Sequence, residues 1–168
     1  MGLVIGKKLQ DYDSDDDKDI LQYIDQYLLA IDMTGRNVQE EAKKRGIPWS
    51  IAKGYDTFLP IQGPISKDVI KDPHNIELYL KVNGDVKQND NTELMLFRIP
   101  RQLSAISKVM TLEPGDIVIT GTPKGVGPVK TGDVMECGIR IEGKEVEEAR
   151  MRVEVKDKGG KYEYTETY

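Results

Sequence analysis

Hydrophobic and polar positions alternate most clearly at Ile76, Leu78, Leu80 and Val82, with Glu77, Tyr79 and Lys81 between them. That period of two is the mark of a strand with one buried face. Asn83-Gly84 follows at once and supplies the residues of a type I′ turn, so the pattern predicts a β-hairpin. Shorter apolar runs predict further strands at residues 1–8, 27–33, 94–97 and 117–119. Thr131-Gly132-Asp133 reads as a turn that opens another strand, and Met151, Val153 and Val155 alternate as a last one. Helical spacing is rarer. Residues 20–26 read as a short helix. Residues 36–45 read as a longer one, with Val38 and Ala42 four apart, Lys43, Lys44 and Arg45 at the carboxyl end and Gly46 to stop it. Pro100 can open a helix whose apolar stripe is Leu103, Ile106 and Met110. Prolines at 48, 60 and 64 make residues 47–65 an irregular excursion, the kind of segment that often lines a site. The pattern predicts one α+β domain, mainly β, over residues 1–156, with a polar tail at 157–168. A few helices lie beside curved sheets, and a parallel doubly wound sheet is not expected.

Composition narrows the function classes. The 168 residues suit one domain, and 38% hydrophobic with 32% charged residues describes an ordinary folded protein. A net charge of −5 leaves no basic surplus to displace counterions from a phosphate backbone, so a nucleic-acid partner is not expected. No apolar run reaches membrane-spanning length, and Met1 opens no basic-then-apolar leader; a membrane partner is not expected either. The single cysteine, Cys137, excludes an internal disulfide and alternates with Met135, Ile139 and Ile141 as a core thiol would. Asp11, Asp13 and Asp15 imitate the start of a calcium loop. Asp16 then stands where that loop needs glycine and Gln22 where it needs glutamate, so a solvated acidic loop is predicted instead. The apolar run at residues 1–8 begins almost at the first residue, which raises the expectation of sequence upstream.

Two stretches carry chemistry. In Ile117-Val118-Ile119-Thr120-Gly121-Thr122-Pro123-Lys124-Gly125-Val126-Gly127-Pro128 an apolar strand runs into a loop rich in glycine and proline, where backbone can approach a ligand closely. It lacks the Gly-Lys-Ser/Thr of a P-loop and any dinucleotide fingerprint. Thr120 and Thr122 have two open readings, a ligand role or turn hydroxyls bonded to neighbouring backbone. In Leu29-Ala30-Ile31-Asp32-Met33-Thr34-Gly35-Arg36-Asn37-Val38-Gln39 an apolar run ends on a carboxylate. Buried bare it would be costly, so Asp32 needs a metal, a cation or backbone donors. The alternative makes Asp32 a helix cap or a partner of Arg36, with Thr34 as a rival cap. Lys53, near Trp49 and Ile51, can meet a substrate anion or simply lie on the surface. His74, the only histidine, is read as structural or exposed. Together the two stretches predict a small-molecule site that handles an anion, through a metal.

These residues resemble the fumarylacetoacetate hydrolase family, in particular its small acylpyruvase and oxaloacetate decarboxylase branch. The matching stretches are Val4-Ile5-Gly6-Lys7, Leu29 to Thr34, Gly46-Ile47-Pro48-Trp49 with Ala52-Lys53, Asp72-Pro73-His74, Leu80-Lys81-Val82-Asn83-Gly84 and Glu113-Pro114-Gly115-Asp116-Ile117 through Pro128. They run from Leu3 to Gly138, and the segment after Gly138 is less like the branch. The resemblance implies a mixed β-sandwich roll with peripheral helices, a homodimer, and a mitochondrial or cytoplasmic location. It implies Mg²⁺ (or Mn²⁺) held by Asp32 and a Glu-x-Glu pair, with Lys53 catalytic beside it. Arg36, Gln39, Gly121 and Thr122 are then substrate-binding, and the substrate is a small 2-oxo acid. The implied reaction is hydrolytic C–C cleavage of a 3-acylpyruvate or decarboxylation of oxaloacetate through a metal-stabilised enolate. The Glu-x-Glu pair would fall just before Gly2, and the lid with a His-Glu pair further upstream. These 168 residues alone are therefore expected to bind Mg²⁺ poorly and turn over little. Two alternatives accompany this reading: a catalytically silent binding or dimerisation partner, and an isomerase or hydratase of aromatic catabolism.

Overall fold

The computed structural model describes residues 1–13 and 18–165. Asp15 and Asp16 of the acidic loop, and the end of the polar tail, lie outside the described residues.

Among the described residues nine strands form two sheets, and every described pairing is antiparallel. The first holds β1 (Gly2–Ile5), β2 (Ile24–Ala30), β3 (Ile61–Ser66) and β6 (Ile117–Ile119) in the order β3-β2-β1-β6. The second is built from β4 (Glu77–Val82), β5 (Asp85–Asn91), β7 (Val134–Ile141) and β8 (Lys144–Glu145), ordered β5-β4-β7-β8, with β9 (Met151–Glu154) also on β7. Leu3, Ile5, Tyr27, Leu29 and Ile65 from the first sheet share one apolar cluster with Leu78, Cys137, Ile139 and Met151 from the second. Helix α3 (Ile99–Ser107) adds Ile99 and Leu103 to that cluster. Burial in it pushes the Cys137 thiol up to about 12, in keeping with a core thiol rather than a reactive one.

Local rules hold where the sequence is explicit. The β4–β5 hairpin turns on Asn83 and Gly84, both at positive φ (52° and 86°), as a type I′ turn requires. Helix α1 (Arg36–Arg45) has the predicted bounds and ends at Gly46, whose left-handed backbone lets its N–H reach the carbonyls of Ala42 and Lys43. Opposite Tyr79 on β7 sits Gly138, where a Cβ would lie 2.5 Å from the tyrosine oxygen; the ring lies across a gap only glycine leaves.

Five expectations need correction. The helix at 20–26 is a 3₁₀ segment, Lys18–Tyr23, and the strand expected at 27–33 is β2, Ile24–Ala30. Pairing with β1 decides this, since Val4 lies opposite Gln26 and Leu3 opposite Tyr27. The excursion at 47–65 contains a one-turn helix, α2 (Ser50–Lys53), and the whole of β3. Pro64 is tolerated there because β3 lies at a sheet edge. Residues 94–97 form no strand: Thr92–Leu94 is 3₁₀, and Leu94, Leu96 and Phe97 are exposed. Met110 lies beyond α3 and is exposed, so the helix stripe is shorter than expected.

Candidate active site

β1 runs antiparallel to both of its neighbours, so β2 and β6 run in the same direction and finish at the same edge. Gly2 is level with Leu28 on one side and Ile119 on the other. Asp32, just past β2, and Thr120 to Thr122, just past β6, therefore leave the sheet at one end. With strands about 4.8 Å apart, the two exits are separated by roughly 10 Å across β1.

At the β2 exit, Asp32 Oδ2 accepts a hydrogen bond from Lys53 Nζ at 2.6 Å. The same ammonium donates to Thr34 Oγ1 at 2.8 Å. Lys53 is the last residue of α2, and α2 is tied to this segment by backbone: Gly35 N–H donates to Ala52 O at 2.9 Å. Fully buried Ala52 anchors the turn, while Trp49 and Ile51 stay exposed. Asp32 is thus neither a helix cap nor a partner of Arg36. The residue before α1 is Gly35, and no side chain caps it. Thr34 is not a cap either; besides accepting from Lys53, it donates to the carbonyl of Asp32 at 3.3 Å.

From the first residue of α1, Arg36 Nη1 donates to Gln39 Oε1 at 2.7 Å and Nη2 lies 3.5 Å from Glu40. Gln39 is buried, which fixes the guanidinium over the start of the helix. Arg36 and Gln39 therefore form a unit that adjoins Asp32 in sequence.

At the β6 exit, the Thr120 N–H and hydroxyl both donate to the carbonyl of Met1, each at 3.0 Å. Its hydroxyl is bound to backbone, but to that of the adjacent strand and not to the neighbouring backbone of a turn. Gly121 has φ +103°, a conformation that favours glycine. Thr122 Oγ1 accepts from Gln88 Nε2 at 2.9 Å. A cavity of about 650 Å³ opens beside this loop, walled by Leu94, Met95, Leu96 and Phe97 opposite Thr120 and Thr122.

The structure brings Asp32 and Lys53 into contact, and Arg36 and Gln39 into contact. It places Gly121 and Thr122 at the same sheet edge without a direct bond to either pair. Gln88 escaped the sequence reading because nothing in a polar β5 marks which residue reaches across to another sheet. His74 lies elsewhere: Nε2 accepts from the Ile99 N–H at the start of α3, at 3.0 Å.

Residues 1–154 match the C-terminal domain family of fumarylacetoacetate (FAA) hydrolase. The chain belongs to the fumarylacetoacetate hydrolase family. It is 52% identical over 139 residues to the mitochondrial oxaloacetate decarboxylase of Dictyostelium discoideum, covering 83% of this chain and 62% of that protein. It is 57% identical over 117 residues to the mitochondrial oxaloacetate tautomerase oaa1 of Schizosaccharomyces pombe, covering 70% and 53%. The chain thus spans little more than half the length of these relatives. The crystal structure of yeast ynq8, a fumarylacetoacetate hydrolase family protein, superposes with a TM-score of 0.92 at 36% identity, covering 98% of this chain and 70% of that one. The fumarylpyruvate hydrolase of Pseudomonas aeruginosa, solved with Mn²⁺ and pyruvate, gives 0.82 at 28% identity, covering 92% and 63%. The family match runs past Gly138 to residue 154, beyond the span of the motifs.

A divalent cation such as that Mn²⁺ needs several oxygen or nitrogen ligands. Among the described residues no three His, Cys, Asp or Glu side chains converge, and Asp32 already gives one oxygen to Lys53. The described residues by themselves do not make such a site. Among them, no helix is long and apolar enough to cross a membrane.

Proposed function

We propose that residues 1–156 are the substrate-facing part of an enzyme acting on oxaloacetate or a closely related 2-oxo acid, with 157–168 a tail outside the catalytic unit. Tautomerisation removes a proton from C3. Decarboxylation breaks the C3–C4 bond, and its electron pair stays on C3 as CO₂ leaves. Cleavage of a 3-acylpyruvate breaks the corresponding bond as water adds to the distal carbonyl. All three put negative charge on the C2 oxygen, so one arrangement of positive charge and donors serves them all. The observation that carries this reading is the Lys53 ammonium, held 2.6 Å from Asp32 and 2.8 Å from Thr34 at the edge that also bears Thr122. In this proposal Lys53 is the catalytic cation facing the developing enolate. Thr122 and the backbone at Gly121 receive the substrate carboxylate, and Arg36 with Gln39 closes the other side.

Asp32 is proposed as one ligand of Mg²⁺ or Mn²⁺, with the remaining ligands supplied from outside the described residues. Both of these relatives are named as mitochondrial proteins, and a mitochondrial setting is part of the proposal. So is the homodimer the resemblance implies, for which exposed Leu94, Leu96 and Phe97 offer apolar surface.

The test follows oxaloacetate enol–keto conversion and pyruvate release by the complete polypeptide bearing this domain. Removing a preorganised charge from such a site costs about 100-fold or more in turnover. Lys53→Met and Asp32→Ala are each expected to lose at least that much with an unchanged unfolding midpoint. Turnover within a few-fold of the unsubstituted protein in both variants would refute the assignment.

A further inference from the structure

The loop that follows β6 is seated on β5, a strand of the other sheet. Gln88 Nε2 on β5 donates to Thr122 Oγ1 at 2.9 Å and to the carbonyl of Pro123 at 2.7 Å. On either side of it, Lys87 and Asp90 add two more points of attachment. A Cβ on Gly125 would fall 1.9 Å from the Lys87 carbonyl oxygen, and Lys124 Nζ lies 3.8 Å from Asp90.

These two bonds of Gln88 settle the proton on Thr122. The Pro123 carbonyl can only accept, so the nitrogen of the amide, not its oxygen, must face the loop. That nitrogen carries two protons and no acceptor. Thr122 Oγ1 beside it must therefore accept, and its own O–H proton is left to point away from β5. Because the bond from Gln88 takes a lone pair of Oγ1, the threonine keeps its proton for an anionic oxygen on a ligand.

We propose that Gln88 is a positioning residue for the anion site: it fixes Thr122 as a hydrogen-bond donor to the carboxylate of the bound 2-oxo acid. The inference rests on the reading above that Thr122 meets substrate. Gln88 touches no substrate itself and acts through Thr122 alone. It also links the two sheets at the site, because the residue it orients belongs to the β6 exit and its own strand to the opposite layer.

Oxalate, a planar dianion that mimics the enolate of a 2-oxo acid, is the probe, titrated calorimetrically with Mg²⁺ present into the polypeptide used for the turnover test, unsubstituted and as Gln88→Met, Gln88→Glu, Thr122→Val and the Gln88→Met/Thr122→Val pair. Hydrogen bonds to charged groups are worth enough to shift affinity about tenfold. Gln88→Met and Thr122→Val are each expected to weaken oxalate by about that factor, and the double variant no further than either alone. Gln88→Glu keeps the size of the side chain but cannot donate, so it should weaken oxalate at least as much as Gln88→Met. It also serves as the reading if Gln88→Met lowers the unfolding midpoint. For oxaloacetate turnover by the complete polypeptide, the loss should fall on KM with kcat within about twofold, as for uniform binding. Thr122→Val weakening oxalate while both Gln88 variants bind it normally would overturn the inference and leave the proposed function standing. Additive losses in the double variant would also overturn it, since Gln88 would then act independently of Thr122. No oxalate binding by the unsubstituted protein, or normal binding by Thr122→Val, removes the proposed function and the inference with it.

Discussion

Lys53 reaches two oxygens that follow β2, and both it and Asp32 keep roughly a third to a half of their side-chain surface open, at 32% and 45%. Ion pairs so exposed contribute about 0–1 kcal/mol. The pair is therefore weak as a fastener, and its substitution reads out chemistry rather than folding. Asp32 was legible as a carboxylate at the end of an apolar run. Its partner was not, because the contact spans 21 residues and depends on a one-turn helix hidden among prolines. His74 is the residue whose structural reading is now physical. Its Nε2 takes the Ile99 N–H, an amide at the first turn of α3 that has no partner within the helix. Half-burial, then the positive charge of Arg98, lowers its pKa from the ordinary 6.5. In the interval between that lowered value and 6.5 the unfolded chain binds more protons than the folded one. Stability is thus complete above 6.5, declines as pH falls towards the native value, and levels off below it. His74→Ala is expected to cost about 1 kcal/mol near neutrality, in line with the loss of a helix cap, and to abolish that slope. Urea unfolding between pH 7 and 5 measures both; an unchanged slope in the variant would show that another group titrates.

Elements whose ends are set by local chemistry matched the sequence reading, as did the strands at 117–119 and from Met151; β2 and β3, whose extent depends on their neighbours, did not. Gly46 stops α1, and Asn83-Gly84 turns β4 into β5, because positive φ is demanded at those positions whatever surrounds them. The start of β2 was misplaced because its buried residues Ile24 and Tyr27 are three apart and do not alternate, the register with β1 shifting between Val4 and Ile5. β3 was missed because Pro64 argues against a strand unless that strand is known to sit at an edge. The loop after β6 was recognised by its glycines, yet the reason for Gly125 in particular emerges only from β5. At φ +100° and with the Lys87 carbonyl in the place of its missing Cβ, position 125 cannot hold a side chain without lifting the loop. Gly125→Ala is expected to destabilise the domain by about 2 kcal/mol or more, from backbone strain and overpacking together. It should weaken oxalate binding as well, because Gln88 then loses its reach to Thr122. Urea midpoints and calorimetry check the two effects; a variant equal to the unsubstituted protein in both would mean the loop is not clamped to β5.

For the molecule as a whole, the proposed site depends on which strand ends lie at one end of the sheet. The sequence holds Asp32 and Thr122 ninety positions apart, and the order β3-β2-β1-β6 is what returns them to one end of one sheet. Family motifs marked the candidate site residues, and the mainly β architecture that the resemblance implies is the one observed. The distance between the two exits could not be read, since it is a property of β1 lying between β2 and β6. The account predicts that the Asp32–Lys53 pair and the Gly121–Thr122 loop face one anion across that strand. The most direct test is a titration of the isotopically labelled protein with pyruvate, followed through backbone amides and the Lys53 ammonium by nuclear magnetic resonance. Shifts at residues 32–36, at Lys53 and at residues 120–123 that rise together with a single midpoint are the predicted result. Shifts confined to one exit, or two exits saturating at different pyruvate concentrations, would contradict it.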